Sequence, residues 1–130
     1  MPASTFLRRV LVADAAISGA AGLLMAVDAG ALQDVLGVPA LALRWVGLGL
    51  ILFALRLVVL SRDNGLARAR VWAVIAINLA WASGSVLLLV SGRIQPSGLG
   101  YALILGQAFA VAALAELQYV GLRKSALAAA

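Results

Sequence analysis

The sequence predicts an all-α fold: a four-transmembrane-helix antiparallel bundle, one domain spanning residues 1–130. Three observations predict it. First, 65% of the 130 residues are hydrophobic and only 12% are charged, against about 45–50% and about 25% in soluble domains. Second, four apolar stretches are each long enough to cross a hydrocarbon core of about 30 Å, which takes about 20 helical residues. Third, the basic residues gather on one side of those stretches. The runs are continuous, not alternating, and 54 of the residues are Ala or Leu, so helices are favoured over strands.

The spans cover about residues 10–27, 41–60, 71–90 and 99–119. Each break between them carries turn chemistry. Asp28-Ala29-Gly30 ends the first span, and Gly37-Val38-Pro39 precedes the second. Between these, residues 31–36 have the pattern of a short amphipathic surface helix. Ser61-Arg62-Asp63-Asn64-Gly65 ends the second span, and the segment Ser91–Gly98 joins the third to the fourth. Connectors this short make consecutive helices neighbours of opposite direction.

Orientation follows from Lys and Arg in the short loops. The N-terminus, the 61–70 loop and the C-terminus hold Arg8, Arg9, Arg62, Arg68, Arg70, Arg123 and Lys124; the two other loops hold Arg93 alone. Seven against one places both termini in the cytoplasm, in a multi-pass protein of a bacterial inner membrane. The net charge of +5 therefore reflects topology and attraction to anionic lipid, not nucleic-acid binding. Trp45 and Tyr101 fall at outer span ends, and Phe6, Trp72 and Tyr119 at cytoplasmic ends, as an interfacial belt does. Asp14 inside the first apolar run argues against a cleaved leader.

Ionisable residues in hydrocarbon cost at least roughly 2.5–3.5 kcal/mol each on insertion scales, so they usually face the protein interior. Asp14, Arg56 and Glu116, with Asn78, fall within about 5–10 Å of the cytoplasmic boundary at 1.5 Å per residue. Four helices thus each offer a polar group at one depth, and we expect a buried layer of Asp14, Arg56, Asn78 and Glu116. In the structural reading Arg56 bridges the two carboxylates and fixes helix register. In the sharper reading the two carboxylates share a proton; in the third the charged groups snorkel to the interface and form no network. Helical stripes agree with an inward layer: Asp14-Ser18-Gly22-Met25, Trp45-Gly49-Leu52-Arg56 and Asn78-Trp81-Ala82-Ser85. Ser18, Trp81 and Tyr119 are candidate ligand or packing positions, and the Trp81 indole needs an acceptor. Ala102, Gly106 and Ala110 form a small-residue stripe, as do Ser18-xxx-Gly22 and Ala80-xxx-Gly84. Gln107 lies across the fourth helix from Glu116, with Gln118 on its own face, and marks a candidate association surface. Arg44 snorkels or meets Asp34.

No catalytic constellation is present. There is no Cys and no His, which removes thiolate and imidazole chemistry, and no metal or cofactor motif occurs. The partners expected are the lipid bilayer and either further copies of this chain or another membrane protein.

Leu7-Arg8-Arg9, Asp14, Ser18-Gly19, Val71-Trp72-Ala73-Val74, Asn78, Trp81 and Ala115-Glu116-Leu117-Gln118-Tyr119 together resemble a group of small, uncharacterised bacterial four-helix integral membrane proteins. Ser18-Gly19 and Leu36-Gly37-Val38-Pro39 are similar to the layout of DoxX-like membrane proteins over residues 7–75. This chain has Asp28 and Arg56 where that family carries Lys and Glu. Both resemblances imply architecture. The small multidrug transporters are similar in size, in span number and in one acidic residue in the first span, here Asp14. The expected role is a non-enzymatic accessory or interaction protein. The alternative is a proton-coupled carrier using Asp14 or Glu116.

Overall fold

The computed structural model describes residues 5–63 and 66–125. Its elements are five helices: α1 (Thr5–Val27), α2 (Ala29–Leu36), α3 (Ala40–Arg62), α4 (Arg68–Ser91) and α5 (Gly98–Arg123). Four of them, α1, α3, α4 and α5, are long and apolar enough to cross a membrane. Helices suit these sequences because hydrocarbon offers the backbone no hydrogen-bond partner, and a helix supplies its own. The helices overrun the apolar stretches. α1 begins at Thr5 and carries Arg8 and Arg9, and α5 continues to Arg123. A helix stops where its backbone is broken, not where the hydrophobicity ends.

The expected break at Asp28-Ala29-Gly30 narrows to Asp28, and the short helix expected over 31–36 starts at Ala29. α2 runs on almost directly from α1, with the Asp28 N–H donating to the Leu24 carbonyl at 2.8 Å. It ends at Gly37, whose φ of +74° is left-handed. Pro39 then precedes α3, and the Gln33 side chain accepts from the Ala40 N–H at 2.7 Å, which satisfies a free donor of that helix start. At α5 the Ser97 hydroxyl oxygen accepts from the Gly100 N–H at 3.0 Å and donates to the Val35 carbonyl.

These contacts define two ends. At one, Gly37 lies against Gln95 and Pro96, and Gly100 against Val35 and Leu36; this is the loop end. At the other, the Arg8 guanidinium donates to the Ser61 carbonyl at 2.6 Å and the Asp63 carbonyl at 3.3 Å. A cation there complements the last carbonyls of α3. Leu7 lies against Gly121, and the Lys124 ammonium sits 4.7 Å from the Phe6 ring centre. This is the termini end. The exposed ion pair Arg70–Asp63, 3.0 Å, also lies here.

α1 is the centre of the bundle. It packs on α3, on α5 and, more lightly, on α2, while α4 packs on α5. Among the described residues, neither α3 and α4 nor α3 and α5 bring their Cα atoms within 8 Å, so the second and third spans are not the packed neighbours that their short connector predicts; α1 and α5 stand at the centre instead. The α1–α3 crossing is backbone to backbone. A Cβ built on Gly22 would stand 2.7 Å from the Gly47 carbonyl oxygen, and one on Gly47 would stand 2.6 Å from the Gly22 oxygen. The buried apolar cluster gathers toward the termini end and includes Leu7, Leu11, Leu57, Val71, Val74 and Leu122. Elsewhere the spans turn their apolar surface outward; only 22–28% of each membrane-length window is buried. That surface needs lipid or protein to cover it.

Candidate functional site: an enclosed carboxylate between three helices

Asp14 lies nine residues into α1 and is 1% exposed. Its carboxylate is enclosed by donors from its own chain. The Ser18 hydroxyl, one turn on, donates to Oδ1 at 3.0 Å. The Asn78 amide of α4 donates to Oδ2 at 2.8 Å, and the Gln118 amide of α5 donates to the same oxygen at 2.6 Å. The Asn78 amide also donates to Gln118 Oε1 at 2.9 Å, closing a ring of three side chains. Asn78 and Gln118 are 3% and 0% exposed. Both amides turn their nitrogen toward the carboxyl oxygens, which accept.

Backbone geometry explains the convergence. A helical side chain leans toward its helix N-terminus. Asp14 and Asn78 therefore lean toward the termini end, and Gln118 leans back from that end to meet them. Gly121, one turn beyond Gln118, lets α5 close on Leu7, which holds α5 near enough for the amide to reach.

The structure brings Asp14, Asn78 and Ser18 of the expected residues together. It leaves Arg56 and Glu116 outside. Both are exposed, and neither makes a hydrogen bond or ion pair with a described residue. The expected four-residue layer is thus corrected: Gln118 takes the place of Glu116, and the Asp14 carboxyl group is hydrogen-bonded by amide and hydroxyl donors, not by a guanidinium. The reason is rotational. Glu116 lies two residues from Gln118, about 200° around α5, so only one can face α1. The stripe Trp45-Gly49-Leu52-Arg56 also faces outward, because α3 presents Leu43, Gly47, Ala54 and Leu57 to α1 instead.

A second polar group joins α4 to α5. The Trp81 indole N–H donates to Gln107 Oε1 at 2.7 Å. The Gln107 amide nitrogen donates to Ser85 Oγ at 3.0 Å and to the Ile104 carbonyl at 2.8 Å. Gln107 is therefore engaged by α4 and by its own helix. Ala102, Gly106 and Ala110 are exposed, and a methyl group on Gly106 would meet nothing within 4 Å. Gly84 is likewise open. Tyr119 is half exposed, tilted on Trp72 with ring centres 5.6 Å apart and the Arg123 guanidinium 5.9 Å from its own. Arg44 is exposed on α3.

Sequence reasoning placed Gln118 on the Gln107 face, toward an association surface, and not beside Asp14. The signal was there: Gln107 and Gln118 are 11 residues apart, which returns to within about 20° on a helix. Two long amides on one face of an apolar helix mark its inward side.

Chemically, the Asp14 group is a closed acceptor site. Both carboxylate oxygens are occupied and the surface is sealed. Among the described residues no group of three His, Cys, Asp or Glu side chains could hold a metal. A hollow of about 350 Å³ lies at the loop end, lined by Gln33, Asp34, Gly37, Val38 and Pro39, on elements far from Asp14. Comparison with family models, curated proteins and solved structures returns no match to this chain.

Proposed function

We propose that this chain is a small non-enzymatic accessory protein of a bacterial inner membrane, which acts by associating with protein in the bilayer. Both termini lie in the cytoplasm, and consecutive spans run antiparallel. The orientation is supported by the paired contacts Arg8–Ser61 and Gly22–Gly47 for α1 with α3, and Asn78–Gln118 and Trp81–Gln107 for α4 with α5. It is supported as well by the seven basic residues at the termini end.

One observation carries the reading. The buried ionisable group, Asp14, is satisfied and sealed by its own chain, whereas Arg56 and Glu116, two of the charges within the membrane-length helices, face outward without a partner among the described residues. A carrier needs its titrating group to meet water or substrate; an interaction protein needs its unsatisfied groups on its surface. The test is native mass spectrometry of protein released gently from its own membrane. An oligomer or a protein adduct of fixed stoichiometry is expected. A bare chain carrying a small molecule, released by Asp14→Asn, would overturn the reading in favour of the carrier.

A further inference from the structure

We infer that α3 of one protomer docks on α5 of a second copy, through an Arg56–Glu116 ion pair between chains. This rests on the association reading above and names its partner. Arg56 lies six residues before the end of α3 and Glu116 seven before the end of α5, about 9 and 10 Å from the termini end. Copies inserted in the same orientation can pair only groups at matching depth. These two opposite charges match, and both are exposed and without a partner among the described residues. Lipid phosphate would suit Arg56 but repel Glu116; a second copy satisfies both at once. Arg123, one face-repeat beyond Glu116, is engaged over the Tyr119 ring.

Shape follows the same register. Seven residues toward the loop end from Arg56 is Gly49, an open notch where a methyl group would meet nothing within 4 Å. Seven residues from Glu116 in the same direction is Phe109, 76% exposed. Trp45, 69% exposed, lies 11 residues from Arg56, and the open notch at Gly106 lies 10 from Glu116. With the charges paired, each protruding ring therefore falls opposite a glycine. Small residues let membrane helices approach closely, and packing at such sites drives their association.

The absence of Cys permits a clean crosslinking test in native membranes. Because α3 and α5 do not approach within one chain, a Gly49→Cys, Phe109→Cys disulfide reports on two copies. On oxidation this pair is expected to give roughly tenfold more dimer or ladder than the Leu48→Cys, Phe109→Cys pair, at the same depth on another face. Adding Arg56→Glu or Glu116→Arg alone should return the yield to that background, and adding both should restore it. Rescue by the double reversal separates a charge pair from a folding defect. Equal yields for the two cysteine pairs, or no effect of the charge reversals, would overturn the inference and leave Arg56 to the headgroups. Crosslinking of Gly49→Cys only to a chain of different mass would overturn self-pairing while leaving the accessory reading standing. A cysteine pair that crosslinks to nothing, together with a monomer in the mass spectrum, would overturn both.

Discussion

Two hydrogen-bonded polar groups sit inside this bundle, and they are enclosed to different degrees. Around Asp14, side chains from α1, α4 and α5 meet and almost no surface remains. Around Gln107, side chains from α4 and α5 alone meet, and Gln107, Trp81 and Ser85 stay partly exposed. The difference follows from what each group must satisfy. A carboxyl group offers two oxygens with several acceptor sites, so it takes donors from more than one direction. An amide and an indole satisfy each other across a single interface, and their apolar edges face lipid at little cost. A third helix is therefore required at one site and dispensable at the other.

That contrast predicts a graded set of responses, each read as stability in detergent by thermal or denaturant unfolding. Asp14→Leu should be the most damaging. It removes the shared acceptor of Asn78 and Gln118, leaving Asn78 only its bond to Gln118 Oε1, at about 1–3 kcal/mol per buried donor left unmade. We expect a total loss near 3 kcal/mol or more; a loss under about 1 kcal/mol would remove the reason for the three-helix enclosure. Gly47→Leu should follow, at about 1–3 kcal/mol, because the added side chain must part the α1 and α3 backbones. Its effect should be largest on α1–α3 proximity, measurable by spin-label distances across that crossing. Gln107→Leu should cost about 1 kcal/mol, since hydrogen bonds between membrane helices average well below the values found for buried groups in water-soluble cores. Trp81 would lose its acceptor, so its fluorescence should shift to shorter wavelength while the fold persists.

The smallest effect is the most informative. Asp14→Asn can keep its oxygen toward Asn78 and Gln118 and turn its nitrogen toward Ser18 Oγ, which is able to accept. The loss should stay below about 1 kcal/mol, with the helical content and oligomeric state unchanged. A large loss would mean that the negative charge itself, and not its acceptor geometry, holds α1, α4 and α5 together.

Part of this was legible in the chain before folding. The spans, their breaks and the short helix before Gly37-Val38-Pro39 could be read directly, because apolar length and turn residues act locally. Asn78 and Ser18 were correctly associated with Asp14, since one is a turn away and the other a lone amide in an apolar helix. Glu116 and Arg56 misled because charge in hydrocarbon is normally drawn inward. That rule describes cost, and cost can also be met outside the chain, against another protein.

The sequence by itself determined that this protein is helical, that it has four membrane-length segments, and which end of each carries the basic residues. These are properties of residue type and order along one axis. Only the tertiary structure decided which face of each helix turns inward. That choice depends on backbone approach: Gly22 and Gly47 admit α3 to α1, Gly121 admits α5, and each closure sets a rotation. Gln118 is buried and Glu116 exposed because of where α5 can come close, and no local property of either residue contains that information.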